Sequence, residues 1–92
     1  IGTTPADLPV VLSLAKKFAP RVACTLGIHP HEAELYTPDV EAYIRQHAVE
    51  PEVVAIGETG LDYYYNNAPK ERQIEAFRAQ MQIAADLKLP VE

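Results

Sequence analysis

The chain has 92 residues, 48% hydrophobic and 23% charged, with a formal net charge of −5. That composition belongs to an ordinary globular chain and not to a disordered one. No apolar run approaches the roughly 18 residues of a membrane span, and no basic stripe offers a broad cationic grip on nucleic acid, which leaves open a nucleic-acid enzyme with a small metal-centred site.

The first residues show no basic leader and no small-residue cleavage site, so no signal peptide is expected. Ile1 to Thr3 read as the tail of a strand. Thr4-Pro5 opens a helix over about residues 5–18, with Thr4 as N-cap and Pro5 at the first helical position. Leu8, Val11, Leu12, Ala15, Phe18 and Ala19 share one of its faces, and Pro20 ends it. Arg21 to Ile28, "RVACTLGI", reads as a strand, centred on 22–28. Cys24, within it, is the one cysteine. It excludes an internal disulfide, reads as a small buried hydrophobe, and fits a reducing, cytoplasmic setting. Thr37-Pro38 starts a second helix, near 38–48, with Val40, Tyr43, Ile44 and His47 as a weak stripe. Val53 to Gly57 is the next strand. Asn67 or Ala68 is expected to cap a third helix, near 69–88, that buries Ile74, Phe77, Met81, Ala84 and Leu87. "LPVE" at the end reads as a further strand beginning at Pro90.

Strands that are apolar throughout, separated by helices, belong to a parallel sheet covered by helices. Strand ends recur near Thr3, His29 and Glu58, about thirty residues apart, and eight such units give the roughly 250 residues of a (β/α)₈ barrel. The expected fold class is α/β, with parallel βα units forming part of a (β/α)₈ TIM barrel. Residues 1–92 are then a segment of one barrel domain, incomplete at both ends. A small open doubly wound sheet is the competing architecture. Cut in this way, the segment is expected to expose sheet edges and either to self-associate or to be marginally stable in isolation.

In either architecture chemistry gathers at the C-terminal ends of the strands. Two such ends carry polar motifs: "GIHPHE", Gly27 to Glu32, and "GETGLD", Gly57 to Asp62. Glu58 ends an apolar strand beside Gly57, with Gly60 close behind, and these glycines keep the backbone slim. An unpaired carboxylate there loses its hydration, so a metal ion, an Arg or several donors must compensate. Glu58 is either a metal-facing carboxylate or one paired with a Lys or Arg. His29 and His31, two apart in extended chain, point the same way and suit one ion, although such pairs also arise by chance. Asp62 is either a turn residue or the holder of a ligand. Tyr63, Tyr64 and Tyr65 either stack on bases or pack under the loop. His47 reads as an interface or surface histidine, and Lys16, Lys17, Lys70 and Arg72 as solvated helix faces.

Together "LGIHPHEA" (Leu26 to Ala33), "VAIGETGLDYYY" (Val54 to Tyr65) and "ERQIEAFRAQMQIAADLKLPV" (Glu71 to Val91) resemble the TatD family of metal-dependent hydrolases. The resemblance covers nearly the whole chain. It implies an amidohydrolase-like (β/α)₈ barrel, a centre of divalent ions, two in number and drawn from Mg, Mn or Zn, and hydrolysis of phosphodiester bonds in DNA. It implies that Glu58 is a metal ligand. It places His29, His31 and Asp62 in contact with substrate or behind the ligands. The family's first His-x-His, its histidine after the "PV" strand, and its later histidine and aspartate do not fall within these residues. The parent protein is expected to be a nuclease and the isolated segment inactive. The alternatives are a metal-dependent esterase or amidase of the wider superfamily, and a non-catalytic βα scaffold.

Overall fold

The structure, a computed structural model, describes residues 1–64 and 68–92. In chain order it comprises helix α1 (Asp7–Lys17), strand β1 (Cys24–Leu26), a 3₁₀ helix (Pro30–Leu35), helix α2 (Pro38–His47), strand β2 (Val53–Ile56) and helix α3 (Lys70–Leu87). β1 and β2 pair in parallel, with Cys24 opposite Val53 and Leu26 opposite Ile56. Further extended chain flanks the pair on both sides. The Gly2 N–H donates to the Thr25 carbonyl at 3.0 Å, and Val91 forms a parallel bridge with Ile56. The parallel order expected from the apolar runs is present.

Local chemistry sets the helix starts. Both the carbonyl and the hydroxyl of Thr4 accept from the Asp7 N–H, at 3.0 and 3.3 Å, so Thr4 to Ala6 close a turn and α1 begins two residues later than Pro5 suggested. The Thr37 hydroxyl caps α2 by accepting from the Val40 N–H at 3.3 Å, with Pro38 in the first turn. α3 begins after Pro69 rather than at it. Asn67, an expected cap, and Tyr65 lie outside the described residues. The strands are shorter than expected. Arg21 and Val22 are exposed and precede the ladder.

The core joins Leu8 and Leu12 of α1, Leu26 and Ile28, Ile44 of α2, Ile56 of β2 and Ile83 of α3. Each such aliphatic side chain contributes about 1.5–3 kcal/mol when fully buried. Cys24 is buried and free, and burial pushes its thiol pKa up. Phe18 and Ala19 are exposed because α1 stops at Lys17, so the apolar stripe loses its last turn. The face of α3 also differs from expectation. Met81 is exposed and Ile74 and Phe77 are half-buried. The deepest residues are Gln73, Ala76, Gln80, Ile83 and Ala84. The helix is rotated toward its glutamines because their amides find partners inside.

Candidate functional site

Parallel pairing brings the C-terminal ends of β1 and β2 side by side. The Gly57 N–H donates to the Leu26 carbonyl at 2.9 Å. The His29 N–H reaches the Thr3 carbonyl at 2.9 Å, and the Glu58 N–H reaches the Gly2 carbonyl at 3.0 Å. A Cβ on Gly27 would lie 2.6 Å from the Gly57 carbonyl carbon, so this crossing needs glycine for space. Gly60 is different: a Cβ there would meet nothing, but its φ of +143° is one that other residues rarely adopt. The Gly57–Glu58 peptide is cis.

The structure brings all four candidate residues together. His29 Nε2 lies 3.2 Å from Glu58 Oε1. His29 Nδ1 accepts the His31 N–H at 3.1 Å. A neutral imidazole that accepts at one nitrogen carries its proton on the other. His29 is therefore the Nε2–H tautomer and donates toward the Glu58 carboxylate. His31 Nε2 meets Asp62 Oδ2, and the rings of His29 and His31 pack edge to face with centroids 4.4 Å apart. Asp62 also turns its own loop, since Oδ1 accepts from the Tyr64 N–H at 3.0 Å.

These groups border an open cleft of about 410 Å³, lined by His29, His31, Glu58, Thr59, Gly60 and Asp62 among others. The Thr59 hydroxyl is buried without a hydrogen-bond partner among the described residues. Beyond the rim Tyr64 is 88% exposed, and the Lys70 ammonium sits 5.1 Å from the Tyr63 ring centroid.

The donor set fits a divalent ion only in part. Glu58 offers a half-exposed carboxylate, the hard oxygen ligand such ions prefer. With its proton on Nε2, His29 steadies that carboxylate rather than adding a second ligand, as an outer partner does. Among the described residues no three His, Cys, Asp or Glu side chains converge as a metal site.

Other expectations shift. Arg72 is no merely solvated cation: it donates to the Tyr36 carbonyl at 2.9 Å and pairs with Glu75. Lys16 pairs with Glu50, which His47 also holds at 2.6 Å, so His47 lies at the opposite end of the strands, away from the cleft. The apolar pattern missed Gln73, Gln80 and Thr59. The signal for the glutamines was their spacing, seven residues apart on one helix face with alanines between and beyond.

Parallel strands alternating with helices, with polar side chains collected at the C-terminal strand ends, define an α/β protein of the parallel-sheet class. The chain belongs to the TatD related DNase family, whose sequence model matches residues 1–92. It is 43% identical over 90 residues to the 3'-5' ssDNA/RNA exonuclease TatD of Erwinia amylovora, covering 98% of this chain and 35% of that protein. The protein of the same name from Rahnella sp. is 54% identical over 67 residues, which are 73% of this chain and 26% of that one. Among solved structures YJJV, a TatD homologue from Escherichia coli K12, superposes with a TM-score of 0.85 at 32% identity, covering 98% of this chain and 35% of its own. The chain thus spans about a third of the length of the Erwinia relative and of the solved structure. The fold class is α/β, parallel βα units forming part of a (β/α)₈ barrel. Nucleases of this family depend on metal ions. No helix among the described residues is long and apolar enough to cross a membrane.

Proposed function

We propose that these residues belong to a TatD-type nuclease that hydrolyses phosphodiester bonds in single-stranded DNA, and that residues 1–92 are a segment of one barrel domain. The observation that carries the reading is the His29–Glu58 pair, held at the adjacent ends of two parallel strands and open to the cleft. The names of the similar proteins support the substrate class.

In this reading Glu58 is the carboxylate that would hold divalent ions, two in number and drawn from Mg, Mn or Zn. Such ions, when bound, activate water and polarise the phosphoryl oxygen. His29 fixes the Glu58 rotamer through its Nε2–H. His31, held by Asp62, lines the cleft in contact with substrate or behind the ligands. Tyr64 offers a ring at the rim for a base. In this reading the 92-residue segment alone is inactive, because one carboxylate does not supply the ligand number that a catalytic divalent ion needs. Exposed Val10, Leu14, Phe18, Val22 and Val54 support its self-association. A free, buried Cys24 supports a reducing, cytoplasmic setting.

The test is hydrolysis of a single-stranded oligodeoxynucleotide by the full-length polypeptide that carries these residues, with Mg²⁺ or Mn²⁺ and with chelator. Metal-dependent shortening of the DNA is expected. Turnover of a carboxylic ester or amide with no cleavage of DNA would replace this reading with that of an esterase or amidase.

A further inference from the structure

Gln73 and Gln80 are 1% and 0% exposed, deeper than Phe77 or Met81 on the same helix. A primary amide is costly to bury unless its donor and acceptor groups are satisfied. Both glutamines solve this alike. Gln80 Oε1 accepts from the Ile28 N–H at 2.9 Å, while Nε2 donates to the Ile28 carbonyl at 3.3 Å and the Ala76 carbonyl at 3.1 Å. Gln73 Oε1 accepts from the Asp62 N–H at 2.7 Å, while Nε2 donates to the Asp62 and Ala68 carbonyls, both at 2.9 Å. Each side chain takes both main-chain polar groups of one residue, as a neighbouring strand would.

The two held residues adjoin the cleft. Ile28 directly precedes His29, and Asp62 is the partner of His31. Seven residues on a helix return to nearly the same face about 10 Å further along, so α3 acts as a ruler with two clamps. Gly27 leaves room for one of them: a Cβ there would lie 2.8 Å from Gln80 Oε1. A leucine or methionine would fill the same volume in an apolar core. It would leave the N–H and carbonyl of Ile28 or Asp62 without these partners.

We infer that Gln73 and Gln80 are positioning residues of the cleft, Gln80 aiming His29 at Glu58 through Ile28 and Gln73 holding Asp62 against His31. The consequence for turnover rests on the nuclease reading. The consequence for the histidine rings does not.

The experiment uses the full-length polypeptide, with Gln80→Met and Gln73→Met and the near-isosteric Gln80→Glu and Gln73→Glu. In the wild type, the Ile28 and Asp62 amides exchange with solvent as slowly as those inside α3, and the ring ¹⁵N shifts of His29 report one Nε2–H tautomer. In the Met variants those amides lose protection, and the His29 or His31 ring signals move toward tautomer averaging; the Glu variants keep an acceptor for the N–H, lose the donor to the carbonyl, and show the same changes to a smaller extent. On single-stranded DNA with Mn²⁺, kcat falls about 10- to 100-fold, as for other groups that orient ligands, while KM stays within about threefold. Folded variants with a lower Tm but unchanged ring signals and kcat would overturn the inference and leave the glutamines as core residues. So would fast exchange of the Ile28 and Asp62 amides in the wild type, which is decisive even if no variant folds. A wild type with no nuclease activity would sink the nuclease reading, and ring signals and amide exchange would then decide the clamps alone.

Discussion

The two ends of the β1–β2 pair use the same residue types and arrive at opposite arrangements. At the N-terminal end Glu50 is closed on itself: Oε1 takes Lys16 and Oε2 takes His47 at 2.6 Å, with the Tyr43 ring stacked on His47. Both carboxylate oxygens are committed within the chain. At the C-terminal end Glu58 has one oxygen facing His29 at 3.2 Å and borders the open cleft. A closed network stabilises locally. An open one leaves a carboxylate that a group from outside these residues can reach through the cleft. Under the nuclease reading, this difference in closure, more than residue identity, sets Glu58 apart from Glu50.

Exchanging the carboxylates tests the contrast most severely. In the full-length polypeptide Glu58→Ala is expected to lower nuclease turnover by about 10³-fold or more, beyond the 10- to 100-fold typical of groups behind the ligands. Its circular dichroism should match the wild type, because a half-exposed strand-end carboxylate adds little to folding. Glu50→Ala should do the reverse, keeping turnover per folded molecule and lowering the urea midpoint. An active, well-folded Glu58→Ala protein would make Glu58 a structural carboxylate like Glu50 and erase the distinction.

Acid sharpens the same contrast with a smaller effect. The Lys16 hydrogen bond, and after it that of His47, holds the Glu50 carboxyl below its usual pKa. The Lys16 ammonium is raised correspondingly by Glu50. A depressed carboxyl stabilises the fold above its unfolded pKa, near 4.3, and that contribution is lost as pH falls through the folded value. The raised lysine contributes below its unfolded pKa and loses it only as pH climbs past its folded one. The urea midpoint of wild type should therefore exceed that of Glu50→Gln at pH 7, and the gap should narrow below about pH 4. Both pairs are partly exposed to solvent, so salt should shrink the gap as well. A gap that persists in acid would mean that the ion pair contributes nothing.

Much of this was legible in the sequence, for identifiable reasons. Apolar runs, Pro-started helices and the Thr37 cap marked the elements, because period and capping are local. His29 and Glu58 were legible as neighbours because parallel strand ends must lie side by side. The union of His31 with Asp62 was not, since it depends on how a loop folds back. The face of α3 was misplaced for another reason: hydrophobicity ranks glutamine as a surface residue. What places Gln73 and Gln80 inside is the unsatisfied backbone of Ile28 and Asp62, which no helix-face pattern records.

The smallest expected effect lies back at the closed end. α3 terminates at Lys88, whose φ of 57° and ψ of 42° are left-handed, and whose N–H bonds to the carbonyls of Ala84 and Ala85. The Leu89 N–H adds a bond to Ala84 at 2.9 Å, so the helix end is well capped by a residue that pays a steric cost for the conformation. Lys88→Gly should keep these bonds, remove the Cβ clash and raise stability by up to about 1 kcal/mol, partly offset by the greater freedom of glycine in the unfolded chain. The measurement is the thermal midpoint of each protein, expected to rise by a few degrees. Lys88 touches neither Glu58 nor its cleft, so turnover on single-stranded DNA should stay at the wild-type value. A gain in stability that came with a loss of turnover would show that the two ends are coupled through α3, the helix that also carries Gln73 and Gln80.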